Sequence, residues 1–270
     1  MANFSVLMSV YKAENPVWFR EALESVFAQT VLPNEIVLVK DGPLTPELDA
    51  VIDEYVLRYP IFKIVINERN LGLGLALRKG VIECSNEIIA RMDTDDTMPN
   101  NRFEKQLIKI EEGYDVVSGW AQIFTEDFSS TIATMKRPET SDEIIRYSKR
   151  RCAIVHPCCM LRKKALLAAG NYQHFLLYED YYLWVRMIIS GATFYNIQEV
   201  LYNLRTNSGQ LKRRSGFKYL KTELKAFRIF HKMKFFSTKD LIINSTIRII
   251  VRLTPKFLIG KVYKLIWNKK

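Results

Sequence analysis

The sequence predicts an α/β fold built on a mostly parallel, Rossmann-like sheet flanked by helices. Four apolar runs of strand length alternate with stretches whose apolar residues recur at helical spacing, which is the pattern of a parallel sheet. Each run ends in polar or turn-forming residues, as expected where a strand meets a loop. With 270 residues, of which 48% are hydrophobic, the chain can form one large domain with an appendage.

The elements of the N-terminal half follow in order. The first strand is predicted over Phe4–Val10, and Pro16 opens the helix after it, because proline suits the first helical turn. A second strand at Glu35–Lys40 ends at the turn-forming residues Asp41-Gly42-Pro43. The remaining predicted elements are a helix at Pro46–Arg58, a strand at Phe62–Ile66, a helix following Asn70–Gly74, a strand at Glu87–Met92 and a helix from about Asn101.

An acidic run, Asp93-Thr94-Asp95-Asp96, directly follows the fourth predicted strand. Three carboxylates this close repel one another and resist burial unless a positive charge is held among them. A hard divalent cation, Mn²⁺ or Mg²⁺, binds carboxylate oxygens and keeps coordination sites for phosphate. The alternative is an acidic surface turn or a helix N-cap, because aspartate suits both.

Polar side chains follow all four predicted strands, at Tyr11, Asp41, Asn70 and Asp93. Parallel sheets bind ligands outside the carboxyl ends of their strands, and these residues lie there. The sequence therefore predicts that a ligand site lies along this edge of the sheet.

Five segments in this order and spacing resemble the bacterial family-2 glycosyltransferases, which have the GT-A nucleotide-sugar-binding fold. Within that family the chain is most similar to enzymes of exopolysaccharide, capsule and O-antigen assembly. The segments are SVLMSVYKAEN, FAQT before VLPNEIVLVKDG, NLGLGLALRKG, ARMDTDD and LYEDYYLWVRM. We predict a GT-A domain over residues 1–205, with a nucleotide-sugar-binding half at 1–119 and an acceptor half at 120–205, followed by a basic helical region at 206–270.

The resemblance assigns donor binding to Ser9, Tyr11, Glu14, Asp41, Asn70, Gly72 and Arg78. A hydroxyl and an aromatic face at Ser9 and Tyr11 can hold a base, and Asp41 can accept the imide N–H of uracil. Simple packing of Tyr11 and a turn role for Asp41 are the alternatives. Gly72 permits close approach of the backbone, and Arg78 can pair with phosphate, although most relatives have asparagine there.

The resemblance also assigns the metal and the general base. Asp93 and Asp95 match the DXD pattern, which implies that Asp93 contacts the ribose or the metal and that Asp95 ligates the metal. Asp96 can share either role or cap the next helix. Glu179-Asp180 begins an amphipathic helix, where acidic residues also complement the helix dipole. In relatives the aspartate of this pair is the base, so we predict Asp180 as general base, Glu179 as an acceptor-side residue, and inversion.

Two further residues are candidates for substrate binding. His156 lies in AIVHPCCMLRK, an apolar strand-like run, where a structural histidine is commoner than one that contacts an acceptor or a metal. Arg205, with Asn207 and Ser208, follows the predicted strand EVLYNL, where relatives have a basic loop that folds over the diphosphate. The chain lacks the QxxRW element of processive synthases, which indicates one sugar per acceptor.

Positive charge is concentrated at the C-terminal end. Residues 205–270 hold 18 Lys/Arg and 2 Asp/Glu, whereas the whole chain has a net charge of only +11. Helices predicted at Gly216–Lys234, Thr238–Leu253 and Lys256–Trp267 interleave apolar faces with Lys and Arg. Because no run of about 20 apolar residues exists, we expect helices lying on an anionic membrane rather than spanning it. Nucleic-acid binding and a solvated face of core-packed helices are the alternatives.

The resemblance, together with these features, implies an inverting, metal-dependent transferase of bacterial surface polysaccharide synthesis. We expect it to move one sugar from a nucleotide-diphosphate sugar, with UDP as the expected nucleotide, to a polyprenyl-diphosphate-linked saccharide. We expect it in the cytoplasm, peripheral on the inner face of the cell membrane, with no nucleic-acid partner; no signal peptide or paired cysteine motif is present. A sugar-nucleotide nucleotidyltransferase would need a Gly-rich triphosphate loop, which SVYKAEN is not, and intact Asp95 and Asp180 argue against a non-catalytic scaffold.

Overall fold

The computed structural model describes residues 2–175, 177–206 and 216–253. The N-terminal elements are β1 (Phe4–Val10), α1 (Pro16–Phe27), β2 (Glu35–Asp41), α2 (Pro46–Arg58), β3 (Phe62–Asn67), α3 (Leu73–Glu83) and β4 (Ile88–Arg91). The later elements are α4 (Arg102–Glu111), β5 (Val116–Phe124), β6 (Thr131–Met135), α5 (Ser141–Tyr147), a 3₁₀ turn (His156–Cys158), β7 (Met160–Arg162), α6 (Lys163–Ala168), α7 (Glu179–Ile189), β8 (Phe194–Arg205), α8 (Gly216–Lys232) and α9 (Thr238–Leu253).

The strands form one sheet in the order β3-β2-β1-β4-β7-β5-β6, with β8 also paired to β5. The first four strands are parallel to one another, whereas β7 runs antiparallel to both β4 and β5. The predicted α/β fold with a mostly parallel, helix-flanked sheet is confirmed. In this order β1 and β4 lie at the centre, so their carboxyl ends share the middle of the sheet edge.

Helices cover both faces of the parallel half, which explains its continuous apolar strands. Val6 and Met8 of β1 pack in one core with α1, and Leu7 packs in the other core with α3. The contact with α3 is close: a Cβ at Gly80 would lie 2.4 Å from Leu7 Cδ1. A larger residue at Gly80 would therefore push α3 away from the sheet.

The segment AIVHPCCMLRK is not the extended strand that its apolar run suggests. It forms a 3₁₀ turn at His156–Cys158 and then only three residues of β7. Pro157 explains the difference, because proline has no N–H to donate to a neighbouring strand.

The C-terminal helices pack on α7 through a separate aromatic cluster. This aromatic cluster contains Tyr181 and Val185 of α7 together with Phe227, Phe230 and Phe236 from α8 and the turn after it. The predicted boundary at residue 205 stays a prediction, and the predicted helix at 256–267 lies outside the described residues. Among the described residues, no helix is both long enough and apolar enough to cross a bilayer.

Candidate active site

Asp41 joins the ends of two strands to the loop that opens α3. Its Oδ1 accepts hydrogen bonds from the Leu71 N–H and from Asn67 Nδ2, each at 2.9 Å, and its Oδ2 accepts one from the Gly72 N–H at 2.9 Å. Asp41 is 3% exposed, so these bonds satisfy a buried carboxylate. Gly72 has a φ of +86°, which favours glycine at this helix start. Asn70, beside this loop, is exposed.

The end of β1 is tied to the acidic run by Thr94. Its Oγ1 donates a hydrogen bond to Glu14 Oε2 at 2.6 Å and lies 3.4 Å from the Ser9 carbonyl oxygen. Ser9, Tyr11 and Glu14 are all half-buried. The structure therefore brings these three predicted donor residues to the same edge as the carboxylates.

Asp93, Asp95 and Asp96 form one acidic cluster. Each offers a carboxylate oxygen, and these oxygens all lie within 4.8 Å of one another. Asp93 also forms an ion pair with Arg91, and Asp96 Oδ1 accepts the Arg205 N–H at 2.7 Å. The spacing allows all three carboxylates to reach one ion.

Burial and mutual repulsion make this acidic cluster a good fit for a divalent cation. Burial, with the charges of Asp93 and Glu14, raises the pKa of Asp95 to about 7. Burial and the charges of Asp95 and Asp93 raise the pKa of Asp96 well above its usual range. A hard cation relieves this repulsion and takes the oxygen ligands that the cluster offers.

The raised pKa of Asp95 predicts pH-dependent metal binding. Without metal the carboxyl is largely protonated below pH 7 and ionised above it, and ligation requires the ionised form. Mn²⁺ affinity should therefore fall by about tenfold between pH 8 and pH 6 if one proton is displaced. Thermal unfolding with and without Mn²⁺ should show the larger Mn²⁺-induced rise in Tm at pH 8. Equal rises at both pH values would contradict this prediction.

Arg205 is built into the wall of the site. It is 2% exposed, and its Nε donates to the Asp95 carbonyl oxygen at 2.8 Å. Its other nitrogens contact the Glu126 carbonyl oxygen and the Glu21 carboxylate, and the guanidinium lies 4.0 Å from the Phe128 ring centroid. A contact between Arg205 and the diphosphate stays a prediction, and Asn207 and Ser208 lie outside the described residues.

Glu179 and Asp180 open α7 next to the start of α3. A Cβ added to Gly74 would lie 3.2 Å from Glu179 Cβ, so the starts of α3 and α7 nearly touch. Asp180 Oδ1 accepts the Tyr181 N–H at 2.6 Å. Burial and the charge of Asp180 raise the pKa of Glu179 to about 7.

His156 lies in the interior behind this pair. It is 7% exposed, its Nε2 is hydrogen bonded to the Tyr172 hydroxyl at 2.8 Å, and its ring is edge-on to Trp184. Burial and the charge of Arg91 hold the pKa of His156 well below its usual range, so it is neutral. Its proposed contact with the acceptor stays a prediction. The exposed Arg78 reaches the same segment, with Nη1 3.4 Å from the Tyr172 carbonyl oxygen.

Two residues that support the acidic cluster, Tyr202 and Arg91, were not predicted from the sequence as parts of the site. The Tyr202 hydroxyl accepts the Asp93 N–H at 3.2 Å, and Arg91 pairs with the Asp93 side chain. A signal for Arg91 was present, because arginine is rarely buried and here ends an apolar strand. Tyr202 gave no local signal, since it is 109 residues from Asp93 in the chain.

Comparison with known proteins gives consistent matches. The model of the family described as glycosyl transferase family 2 matches residues 5–169. The chain is 38% identical to the UDP-Gal:alpha-D-GlcNAc-diphosphoundecaprenol beta-1,3-galactosyltransferase of Escherichia coli, covering 97% of this chain and 95% of that protein. It is 34% identical to the amylovoran biosynthesis glycosyltransferase AmsE of Erwinia amylovora, covering 98% of each.

Solved structures show the same fold. The crystal structure of S. aureus TarS 1-349 in complex with UDP-GlcNAc matches with a TM-score of 0.69 over 92% of this chain and 72% of that one. The sequence identity is 16%, so this likeness concerns the fold alone. It confirms the predicted GT-A architecture. With the family match and the two relatives above 30% identity, the chain belongs to glycosyl transferase family 2 and is a glycosyltransferase.

Proposed function

We propose that this glycosyltransferase moves one sugar, with inversion, from a UDP-linked sugar to a saccharide carried on polyprenyl diphosphate. The observation that carries the proposal is the meeting of Asp41, the acidic cluster and the Glu179–Asp180 pair at one sheet edge. The names of the relatives support the substrates and the role in polysaccharide synthesis. The E. coli protein is named for UDP-Gal and a diphosphoundecaprenol-linked GlcNAc, and the TarS structure contains UDP-GlcNAc.

The loop geometry supports the donor side of the proposal. Tyr11 and Ser9 hold the base, and Asp41 receives the imide N–H of uracil. A carboxylate has about four lone-pair positions, and three are used by Asn67, Leu71 and Gly72. The diphosphate then lies near the acidic cluster and Arg78.

The chemistry is a single displacement. Asp180 takes the proton of the acceptor hydroxyl, whose oxygen attacks the anomeric carbon as the bond to the diphosphate oxygen breaks. Glu179 orients the acceptor. Asp95, with Asp93 and Asp96, would hold Mn²⁺ or Mg²⁺, whose charge offsets that of the departing diphosphate.

A donor panel tests this function. Purified protein is incubated with UDP-, GDP- and CMP-linked sugars, Mn²⁺ and a synthetic polyprenyl-diphosphate saccharide, and nucleotide release and product mass are measured. We expect acceptor-dependent UDP release and an acceptor heavier by one sugar. Release of pyrophosphate from UTP and a sugar 1-phosphate would instead identify a nucleotidyltransferase.

A lipid-linked acceptor also implies that the enzyme binds a membrane, and the C-terminal helices have a surface that suits such binding. On α8 four exposed positions at helical spacing form a basic stripe: Lys221, Lys225, Arg228 and Lys232. On α9 three isoleucines are exposed, Ile242, Ile249 and Ile250, by 60%, 38% and 47%, with the exposed Thr246 between them in the chain. Basic side chains beside aliphatic ones suit the cytoplasmic face of an anionic bilayer, where the enzyme would bind peripherally.

Point variants test membrane binding better than a deletion, because α9 also makes buried contacts such as Asn244 Nδ2 to the Lys149 carbonyl oxygen. Replacing Lys221, Lys225 and Arg228 with glutamine should weaken binding to anionic liposomes roughly a hundredfold, at about 1 kcal/mol per charge. Replacing Ile242, Ile249 and Ile250 with serine should remove the part of binding that resists salt.

The matched control replaces three exposed aliphatic residues elsewhere, Leu57, Ile82 and Ile108, with serine. Cosedimentation should show wild-type binding for this control. A wild-type protein that stays in the supernatant with both neutral and anionic liposomes would refute the membrane proposal.

A further inference from the structure

Two arginines with almost no exposure lie together beneath the acidic cluster, and their surroundings differ. Arg102, 0% exposed, donates from Nε to Gln106 Oε1 at 3.0 Å and from Nη2 to the Arg91 carbonyl oxygen at 2.7 Å. Arg91, 1% exposed, has no hydrogen-bond partner for Nε or Nη2 within the described part of the chain. Arg102 therefore has the contacts of a structural residue, and Arg91 does not.

The charge of Arg91 is directed at the site. Arg91 ends β4, and its Nη1 forms an ion pair with Oδ1 of Asp93, two residues further on. This buried cation therefore lies against the acidic cluster.

Stability gives little reason for this arrangement. Removing a guanidinium from water is costly, and an ion pair with incomplete hydrogen bonding recovers only part of that cost. Apolar side chains in place of both Arg91 and Asp93 would fill the same space without the penalty, so stability alone does not require this pair. A charge retained under these conditions points to a role in the site itself.

We propose that Arg91 is a positioning residue of the donor site: it fixes the Asp93 carboxylate and places a permanent positive charge below the region that receives the UDP diphosphate. This inference rests on the proposed function. Arg91 is too buried to touch the substrate, so it acts through Asp93 and through its field. Loss of either effect weakens the binding of an anionic nucleotide.

The test compares Arg91→Met with Arg102→Met. Tm should fall in both variants, because Arg91→Met leaves the Asp93 carboxylate among other carboxylates without its partner and Arg102→Met leaves buried carbonyl oxygens without donors. Calorimetric UDP affinity at saturating Mn²⁺ should fall roughly 10–100-fold in Arg91→Met, the usual effect of removing a residue that orients a ligand. Arg91→Lys, which keeps the charge but not the geometry, should lie between Arg91→Met and the wild type.

A double-mutant cycle with Asp93→Asn separates a positioning role from a general structural one. If Arg91 acts through Asp93, the two losses of UDP affinity are not additive. Fully additive losses would overturn the role of Arg91 in fixing Asp93, and wild-type affinity in folded Arg91→Met would overturn the whole inference. If Arg91→Met does not fold, Arg91→Lys decides: weaker UDP binding supports the inference, and wild-type binding overturns it. A wild-type protein that binds no UDP with Mn²⁺ would instead refute the proposed function.

Discussion

Replacing Asp95 with alanine should abolish sugar transfer and leave the protein folded. The change removes a predicted metal ligand, and the Asp95 carbonyl oxygen that binds Arg205 belongs to the backbone and is retained. It also removes a carboxylate that is buried among others, which gives the metal-free protein no reason to lose stability. UDP release and thermal unfolding measure the two effects separately.

Chelation gives an independent check of the same site. Wild-type activity should vanish in EDTA and return with Mn²⁺ or Mg²⁺. Asp53→Ala, at an exposed aspartate on α2, is the matched control and should keep full activity. Full turnover of the wild type in EDTA would show that transfer does not depend on a metal.

Asp180→Asn should lower kcat by about 10²–10⁴-fold, the usual range for loss of a general base. The amide oxygen can still accept the Tyr181 N–H, so the start of α7 should keep its geometry. Donor affinity should change little, because we place this residue on the acceptor side. Kinetics at saturating donor and calorimetry with UDP measure both quantities.

The kcat of Glu179→Gln should be compared with that of Asp180→Asn. Glu179→Gln removes the neighbouring carboxylate without removing the proposed base, so its effect on kcat should be smaller than that of Asp180→Asn. A collapse of donor affinity in Asp180→Asn would place Asp180 in the donor site and contradict its assignment as base.

The parallel half of the fold was predictable because its signals are local. The strands from β1 to β4 are mostly apolar, and a polar residue stands at the end of each or directly after it. Pro16 and Pro46 mark two helix starts. Residues 116–135 were harder, because β5 pairs with the distant strands β7 and β8 as well as with its neighbour β6. β5 pairs with β8 from Val116↔Phe194 onwards, and no local sequence pattern predicts pairing with so distant a strand.

The residues of the candidate site likewise fall into those with a local sequence signal and those without one. Its motif residues were found because they follow strand ends or open helices. The supporting contacts of Arg205 with Glu21 and Asp95 were not predicted, because they join parts of the chain that are more than 100 residues apart. His156 illustrates the limit of residue type alone: its Tyr172 partner is visible only in the folded chain.

The aromatic cluster between α7 and the C-terminal helices has a consequence for chimeric enzymes. Tyr178, directly before Glu179, donates its hydroxyl to the buried Glu223 at 3.0 Å, and Glu223 pairs with Arg252 on α9 at 2.9 Å. The C-terminal helices α8 and α9 and the start of α7 are therefore one structural unit. Exchanging only residues 206–270 between relatives would place a foreign surface against α7. Swaps that also carry the aromatic face of α7 should retain their solubility.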